Sequence, residues 1–278
     1  MGETCHRRET CRLCAGRDLV RVLALEPTPP ANAFVPESAK NTDQERFPLD
    51  VFLCEGCGHV QLLDVVDPKI LFENYVYVSG TSPVFVKHFE DYAKDVVSRF
   101  SPEPGGLAVD IGSNDGTLLG FFAKAGLKVL GIDPAKDIAK RATEAGTETL
   151  NAFFTPDLAR TIALERGPAA IVTANNVFAH MDDLTGVAQG VRSLLARNGV
   201  FIFEVSYLLD VFEKTLFDTI YHEHLAYHSV KPLVRFLNAN GLEMIEAIRI
   251  PSHGGSLRAM VQLKGGPRPV GKSVGEAI

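Results

Sequence analysis

The sequence predicts an α/β protein in which a mostly parallel, seven-stranded sheet carries helices on both faces and follows a small cysteine-rich domain. Two observations lead to this prediction. Strand-like and helix-like segments alternate over residues 107–241, a pattern that produces parallel sheets covered by helices. Two Cys-x-x-Cys pairs also stand within the first 57 residues, and such pairs are typical of zinc sites.

Composition and charge narrow the class of protein. The chain has 278 residues, of which 46% are hydrophobic, enough for one large domain and one small one. Its net charge is -6 without blocks of like charge, which argues against a nucleic-acid partner. No apolar run approaches the ~20 residues that a membrane span needs, and the N-terminus lacks the apolar core of a signal peptide. We therefore expect a cytoplasmic protein without membrane partners, whose cysteines are thiols or metal ligands.

The cysteine pairs predict a zinc ribbon within residues 1–68. A gap of two residues lets both thiolates of a pair face one tetrahedral Zn²⁺ at about 2.3 Å. The 39 residues between the pairs imply an inserted loop, to which we assign residues 27–34, PTPPANAF. Four thiolates leave no open coordination position, so the zinc is expected to be structural. The predicted ligands are Cys11, Cys14, Cys54 and Cys57.

Other interpretations of the cysteines stay open. The four thiols can also be unrelated buried side chains or form a redox dithiol. His6 and His59 are alternative ligands, while Cys5 is a single upstream thiol outside both pairs.

Residues 69–105 are predicted to be a helical connector, with a helix over 84–100, and residues 106–265 the central domain. The last two strands are joined by the short turn PSHG and should form an antiparallel hairpin at the sheet edge. A parallel sheet that ends in such a hairpin is similar to the seven-stranded, Rossmann-like core of class I methyltransferases. Residues 266–278 are predicted to be a linker or tail. The predicted strands cover 107–111, 128–133, 147–150, 169–175, 200–206, 242–250 and 255–263, and the predicted helices 116–126, 134–146, 156–167, 182–199 and 230–241.

Three strand ends supply the candidate site for a methyl donor, because ligands bind at the carboxyl ends of parallel strands. The first is a glycine loop that departs from GxGxxG, so a pyrophosphate cradle is not expected. Asp133, before Pro134, ends the second strand, where a carboxylate can accept from both ribose hydroxyls; its alternative role is a helix N-cap. Asn175 and Asn176 end the fourth strand, near the place of a donor's sulfonium, or serve as a turn cap. The candidate loop residues are Asp110, Gly112, Ser113, Asn114, Asp115 and Gly116.

Taken in order, CRLC…CEGCG, YVYVSGTS, VDIGSNDGTLL, GIDP, NNVFAHM and YHEHLAYHS resemble the deoxysugar C-methyltransferases that act on nucleotide-linked 4-keto sugars. The resemblance spans residues 10–265, and YHEH is its most specific part. It implies S-adenosylmethionine as donor, zinc in the N-terminal domain, and methylation of the sugar carbon beside the keto group. The product is then a branched sugar for antibiotic or surface glycans.

The resemblance also implies residue roles. His224 is the base that removes the proton from the sugar carbon, and Tyr221, Glu223 and His180 line the same site. Either Tyr75 or Tyr77 closes over donor or substrate, and the two are too close in sequence to separate. Ser79 and Ser82 help to bind the donor. The chemistry agrees, since a histidine near its reference pKa of about 6.5 is a suitable base for a carbon acidified by a ketone.

Several alternatives remain. Strand-like alternation in YHEH places His222 and His224 on one face, where they can form a metal pair. His180 can be a helix cap, and His253 is expected in solvent. Rival functions are an O- or N-methyltransferase, a donor-binding or zinc-ribbon module without activity, and a nicotinamide enzyme.

The family's C-terminal domain, which helps to hold the sugar nucleotide, has no counterpart in this sequence. The expectation is a fragment, a naturally short form, or a partner chain that supplies the missing domain.

Overall fold

The structure is a computed structural model that describes residues 4–73, 75 and 77–278. Short 3-10 turns cover Ser79–Thr81, Phe178–His180 and Phe217–Thr219. The strands are β1 (Cys5–Arg7), β2 (Leu19–Leu23), β3 (Val51–Cys54), β4 (Val60–Leu62), β5 (Asp64–Val66), β6 (Leu107–Ile111), β7 (Lys128–Ile132), β8 (Thr149–Leu150), β9 (Ala169–Asn175), β10 (Leu195–Ser206), β11 (Ala226–Tyr227), β12 (Leu242–Ile250) and β13 (Ser256–Leu263). The helices are α1 (Pro68–Phe72), α2 (Pro83–Phe100), α3 (Thr117–Lys124), α4 (Lys136–Glu144), α5 (Pro156–Arg166), α6 (Leu184–Leu194), α7 (Leu208–Glu213), α8 (Val230–Ala239) and α9 (Lys272–Glu276).

The predicted seven-stranded sheet is confirmed, with the strand order β12-β13-β10-β9-β6-β7-β8. The neighbouring pairs from β8 to β10 are parallel. Strand β13 lies antiparallel between β10 and β12, so the predicted hairpin at the sheet edge is confirmed as well. This is the class I methyltransferase fold.

Helix α2 is part of one helical layer of this sheet. Its buried residues Phe89, Tyr92, Ala93 and Val96 recur at helical spacing and pack with α3 against strand residues such as Ile171. The helix predicted over 84–100 therefore belongs to the core, although its segment was expected to be a connector. Helices α5, α6 and α8 cover the opposite face. In the part of the chain that the structure describes, no helix is long and apolar enough to cross a membrane.

The boundary between α6 and β10 differs from the prediction of a helix over 182–199. The helix ends at Leu194, and Leu195 already pairs with Ala169 on β9. The register then shifts before Val200. A Cβ on Gly199 would lie 2.7 Å from the Ala169 carbonyl oxygen, so this glycine permits a close approach of two strands rather than stopping a helix.

The segment predicted as a linker or tail, 266–278, forms helix α9 against β12. The Gly271 amide donates to the Ile245 carbonyl at 2.8 Å, and the Ala247 amide donates to Ser273 Oγ at 3.3 Å. Val274 is 3% exposed. A single buried side chain in five helical residues is too weak a periodic pattern to be recognised in sequence.

The N-terminal region shares a sheet with the C-terminal half of the chain. Its four strands have the order β11-β4-β3-β2. Strand β11 thus joins this sheet although it lies far in sequence from the predicted zinc domain. Ala226 pairs with Gln61 and Tyr227 with Val60. This pairing fixes the segment after residue 220 against the cysteine-rich region.

Replacing Val274 by alanine should lower the free energy of unfolding by about 1.5–2 kcal/mol, because two buried methyl groups each contribute about 0.8 kcal/mol. Val270→Ala, at a side chain 51% exposed in the same segment, is the matched control and should change it by less than about 0.5 kcal/mol. Urea unfolding measures both values. Equal effects of the two substitutions would contradict the docking of α9.

Candidate functional site

A cavity of about 800 Å³ opens at the carboxyl ends of the parallel strands. Helix α3 follows β6 onto one face of the sheet and α6 follows β9 onto the other, so the cavity lies at a topological switch point. Its size suits a small-molecule ligand. The predicted site residues that line it are Tyr75, Tyr77, Ser79, Asp110, Gly112, Ser113, Asn114, Asp115, Asp133, Pro134, Asn175, Asn176, His180, Tyr221 and His224.

Three predicted site residues lie outside the lining. Ser82 caps α2, where its Oγ accepts from the Phe85 amide at 3.4 Å. Gly116 begins α3 at a φ of 78°, and a Cβ there would lie 2.8 Å from Thr147. Glu223 is 1% exposed, and its Oε1 accepts from Asn32 of the lining. Capping and packing account for the first two, and their predicted contact with a donor stays a prediction.

The glycine loop is bound internally. The Gly112 and Ser113 amides donate to the Ile132 carbonyl at 2.8 and 3.2 Å, and the Gly116 amide donates to the Ser113 carbonyl at 3.0 Å. The Asn114 amide donates to Asp133 Oδ2 at 2.8 Å. These N–H groups are therefore not free to bind a pyrophosphate, in agreement with the loop's departure from the GxGxxG pattern.

Gly112 meets a steric requirement within the loop. Its φ is 71°, and a Cβ there would lie 2.4 Å from Val177 Cγ1. The loop therefore needs glycine because Val177 packs directly upon it.

The carboxylate of Asp133 stabilises two turns. Its Oδ1 accepts from the Ala135 amide at 2.8 Å, and its Oδ2 from the Asn114 amide. Burial raises the pKa of Asp133, against the effect of these two hydrogen bonds. Each oxygen keeps a lone pair for a further donor. The alternative role as a helix N-cap is not observed, because Ala135 is the N-cap of α4 and Asp133 closes the turn before it. Contact with ribose hydroxyls stays a prediction.

The cavity wall is acidic. Among the residues that the structure describes, no lysine or arginine lines it. Burial raises the pKa of Asp110 to about 7, against a hydrogen bond of 2.6 Å from Thr173 Oγ1. The wall beside the glycine loop, with Asp110, Asp115 and Asp133, therefore suits a cationic or neutral ligand better than an anion. The aspartates in the lining are Asp110, Asp115, Asp133, Asp182, Asp183 and Asp218.

The segment before α2 docks on the glycine loop. The Ser79 amide donates to Asn114 Oδ1 at 2.9 Å and the Gly80 amide to Asp115 Oδ2 at 2.8 Å. Asn114 Nδ2 returns a bond of 2.9 Å to the Tyr77 carbonyl. One wall of the cavity is thereby fixed to the end of β6. Asn74 and Val76, within YVYVSGTS and its flank, lie outside the described residues.

The two candidate tyrosines have different neighbours, Phe72 for Tyr75 and Phe85 for Tyr77. Burial raises the pKa of Tyr75, and the nearby Glu223 carboxylate raises it further. Burial also raises the pKa of Tyr77, where the neighbouring charge is Asp115 of the glycine loop. Tyr75 therefore belongs with the YHEH residues and Tyr77 with the loop, a separation that sequence proximity concealed.

Histidine and tyrosine side chains form a stacked cluster on the side of the cavity where Tyr75 lies. His224 Nδ1 donates to the Thr219 carbonyl at 2.8 Å. Since a carbonyl only accepts, Nε2 of neutral His224 carries no proton and accepts from Tyr221 OH at 2.8 Å. Burial lowers the pKa of His224 to about 4, against the hydrogen bond to Thr219. The imidazole is therefore neutral at pH 7.

His180 completes the stack. Its ring lies 5.1 Å from that of His224 and 5.5 Å from that of Phe72, between centroids. Burial holds the pKa of His180 well below its usual value, and the His224 charge lowers it further. Its Nε2 is buried and has no hydrogen-bond partner among the described residues. Such an atom is available to a ligand oxygen.

The strand-like alternation predicted for YHEH is wrong. Tyr221–Glu223 form a turn, closed by a bond of 2.9 Å from the His224 amide to the Tyr221 carbonyl. His222 Nε2 lies 3.1 Å from the Phe47 carbonyl oxygen, away from the His224 contacts. The two imidazoles therefore do not form the alternative metal pair.

The predicted zinc ligands come together. The Sγ atoms of the two cysteine pairs all lie within 4.8 Å of one another, with 3.7 Å between Cys11 and Cys57 and 3.6 Å between Cys14 and Cys54. Four thiolates in this arrangement suit one tetrahedral Zn²⁺. Neither His59 nor His6 joins this group.

Sequence reasoning missed four residues of the site. Asn32, in the inserted loop, donates from Nδ2 to Glu223 Oε1 at 2.6 Å. Phe72 and Asp182 line the cavity, as does His253, whose predicted exposure to solvent is confirmed. The hairpin turn gave a local signal for His253, whereas the other contacts join segments far apart in sequence.

Comparison with known proteins agrees with this architecture. Residues 11–72 match a family model described as a zinc binding domain, and residues 85–247 match a methyltransferase domain. The chain is 35% identical over 249 residues to the C-methyltransferase NovU of Streptomyces niveus, and this match covers 90% of the chain but 59% of that protein's length.

Solved structures show the same fold at low sequence identity. An S-adenosylmethionine-dependent methyltransferase from Clostridium acetobutylicum aligns with a TM-score of 0.52 at 14% identity, over 65% of this chain and 92% of that one. The PH0226 protein from Pyrococcus horikoshii aligns with a TM-score of 0.53 at 14% identity, over 68% and 95%.

Metal analysis of the purified chain should find about one zinc per molecule, as a site with four thiolate ligands requires. Cys14→Ser should lose most of this zinc, because a serine hydroxyl is a poor replacement for a thiolate. Cys5→Ser is the matched control, since Cys5 lies outside the cluster, and should retain the metal. Equal zinc contents in the two variants would contradict the assigned ligand set.

Proposed function

The chain belongs to the methyltransferase family, and we propose that it methylates a carbon beside the keto group of a nucleotide-linked deoxysugar. His224 is the general base in this proposal. The observation that carries this proposal is a neutral imidazole with an unprotonated Nε2 at the wall of an acidic cavity. The activity of NovU, of which the chain spans 59%, supports carbon as the acceptor.

The donor fits the half of the cavity that contains the glycine loop. Bound S-adenosylmethionine supplies an activated methyl group on a positively charged sulfonium. Asp133 offers carboxylate lone pairs to ribose hydroxyls, and Asp110 and Asp115 lie at the end of β6. The Asn175 side chain has both polar atoms buried without partners among the described residues, so it has hydrogen bonds to give to the donor's polar groups.

A carbon acceptor needs a base, because carbon is a poor nucleophile until it loses a proton. His224 Nε2 receives that proton in the proposed reaction after the Tyr221 hydroxyl hydrogen has turned away from its single lone pair. The Thr219 carbonyl stabilises the resulting imidazolium through Nδ1–H. Tyr221 is not the base, because burial, with Glu223 and Asp218 nearby, raises the pKa of its phenol. The phenol stays protonated and acts as a donor.

The charge that develops on the keto oxygen also needs a donor. His180 is neutral and has an unpartnered Nε2 beside His224, and Tyr75 keeps its proton because burial and Glu223 raise the pKa of its phenol. Either N–H or O–H can donate to an enolate oxygen. Asn32 binds Glu223 and so fixes the carboxylate near Tyr75.

Calorimetric titration should show binding of S-adenosylmethionine and none of NAD, because the loop amides that would hold a diphosphate are already engaged. Asp133→Asn should raise the dissociation constant for S-adenosylmethionine about 10- to 100-fold, the loss expected for hydrogen bonds to a charged acceptor. Asp157→Asn, at an 86% exposed carboxylate, is the control. NAD binding, or an unchanged affinity in Asp133→Asn, would overturn the donor site.

Solvent deuterium should enter the carbon beside the ketone of a nucleotide-linked 4-keto-deoxysugar, and His224→Asn should slow this exchange at least about 100-fold. His222→Gln, beside the cluster but bound to Phe47, should keep it. The base is active when unprotonated, so the exchange should persist at neutral pH and fall as the pH drops through about 4, the pKa of His224.

Exchange that survives in His224→Asn would assign the base to another group. Methylation of an oxygen or nitrogen acceptor without any carbon exchange would favour the O- or N-methyltransferase. Donor binding without turnover of any keto sugar would favour a module that is inactive by itself.

A further inference from the structure

The loop between β9 and α6, residues 176–183, joins the two halves of the site. It carries His180, which stacks on His224, and several of its residues line the cavity. Two backbone bonds hold it locally: the Asn176 amide donates to the Glu204 carbonyl at 2.7 Å, and the His180 amide donates to the Val177 carbonyl at 2.9 Å. At its far end Asp183 caps α6, with Oδ1 accepting from the Gly186 amide at 2.8 Å, and the neighbouring Asp182 is held from the zinc-binding region.

Arg12 makes the first contact. It stands between Cys11 and Cys14 in the first cysteine pair, and its side chain is fully buried. Its Nε and Nη2 lie 3.1 and 3.0 Å from Asp182 Oδ1. Its Nη1 donates to Gln61 Oε1 at 3.1 Å and to the Leu62 carbonyl. The guanidinium therefore connects the first cysteine pair, strand β4 and the loop in one buried network.

Asp182 gathers further positive charge from the same region. Arg8 Nη1 lies 3.0 Å from Asp182 Oδ1, and it donates to the Asp182 carbonyl at 3.3 Å. A guanidinium stays charged in a protein at pH 7, so Arg12 carries its charge in a fully buried position. Its one carboxylate partner among the described residues is therefore needed to compensate a buried charge.

Aromatic packing makes the second contact. His59, two residues after Cys57, stacks on His228 with 5.5 Å between ring centroids. His228 stacks on Phe178 of the loop at 5.3 Å. All three rings are buried. Each cysteine pair thus reaches the loop by its own route, one through an ion pair and one through stacked rings.

We propose that Arg12 and Asp182 are positioning residues through which the zinc-binding region fixes the loop 176–183 and sets His180 against His224. This inference rests on the proposed function for its catalytic meaning. The zinc-binding region is then a structural wall of the acceptor site, and not an independent domain attached to a methyltransferase. Neither residue touches the reacting atoms, and both act through His180.

The test compares Arg12→Met, Asp182→Asn and Arg12→Lys in the full zinc-loaded chain, with Arg17→Met as control. Arg17 lies in the same region, but its side chain is 73% exposed and paired with Glu9. The first readout is hydrogen exchange by mass spectrometry for peptides covering 176–183 and 110–117. The second is the imidazole NMR signal of His180, whose ring-current shift reports stacking on His224 and Phe72. Zinc content and affinity for S-adenosylmethionine are measured on each variant.

Arg12→Met and Asp182→Asn should accelerate exchange in 176–183 about tenfold or more and leave 110–117 within about twofold of the parent. The His180 signal should move toward that of an unstacked imidazole. Arg12→Lys should show both changes to a smaller extent than Arg12→Met, because lysine keeps the charge but lacks the planar guanidinium. Zinc content should match the parent in both variants, and donor affinity should match it in Arg12→Met. Every property of Arg17→Met should match the parent.

Unchanged exchange and an unchanged His180 signal in both Arg12→Met and Asp182→Asn would overturn the proposal. Loss of zinc, or faster exchange in 110–117 as well, would also overturn it, because the pair would then support the whole fold rather than the loop. These readouts need no turnover. A parent chain without activity on keto sugars would therefore count against the proposed reaction and leave the positioning role to be decided by exchange and NMR.

Discussion

The switch point between β6 and β9 determines where everything else in the site can lie. The two strands are neighbours, but the helices that follow them lie on opposite faces of the sheet. The connections that leave the two strand ends therefore diverge, and a crevice opens between them. The crevice that results is lined by side chains that follow strand ends, among them Asp110, Asp133 and Asn175. Because these are acidic or neutral, and no lysine or arginine balances them among the described lining residues, the crevice favours a cation before any particular contact is considered.

The acceptor side of the cavity is built from segments far apart in sequence. Strand β11 pairs with β4 of the cysteine-rich region, and the Leu62 amide donates to the Leu225 carbonyl at 3.0 Å. The YHEH turn, immediately before this pairing, is thereby held against the N-terminal region, where Asn32 reaches Glu223. A small domain that resembles a simple ribbon in sequence therefore forms part of the wall beside the proposed base.

Local patterns were sufficient wherever one segment determines its own structure. Alternating strands and helices gave the central sheet, and the spacing of the cysteines gave the four-thiol cluster. Features set by distant contacts were missed. Strand β10 begins at Leu195 because it pairs with Ala169, and the YHEH turn places His222 against the Phe47 carbonyl and Glu223 against Asn32. Tyr75 and Tyr77 have the same chemistry in sequence, and they were separated only by their neighbours Glu223 and Asp115.

The environment of His224 determines how far the proposed reaction depends on the strength of the base and how far on stabilisation of the enolate. Burial keeps the imidazole neutral, and so able to accept a proton, but a pKa of about 4 also makes it a weaker base than a free histidine. The bond from Nδ1 to Thr219 opposes this loss, whereas donation from Tyr221 to Nε2 favours the neutral ring. A weak base removes a carbon-bound proton only if the enolate is well stabilised. Hydrogen-bond donation to the keto oxygen must then supply more of the barrier reduction than base strength does, and its donors must be held rigidly. This requirement gives a physical reason for burying His180 between Phe72 and His224 and for holding its loop from the zinc-binding side.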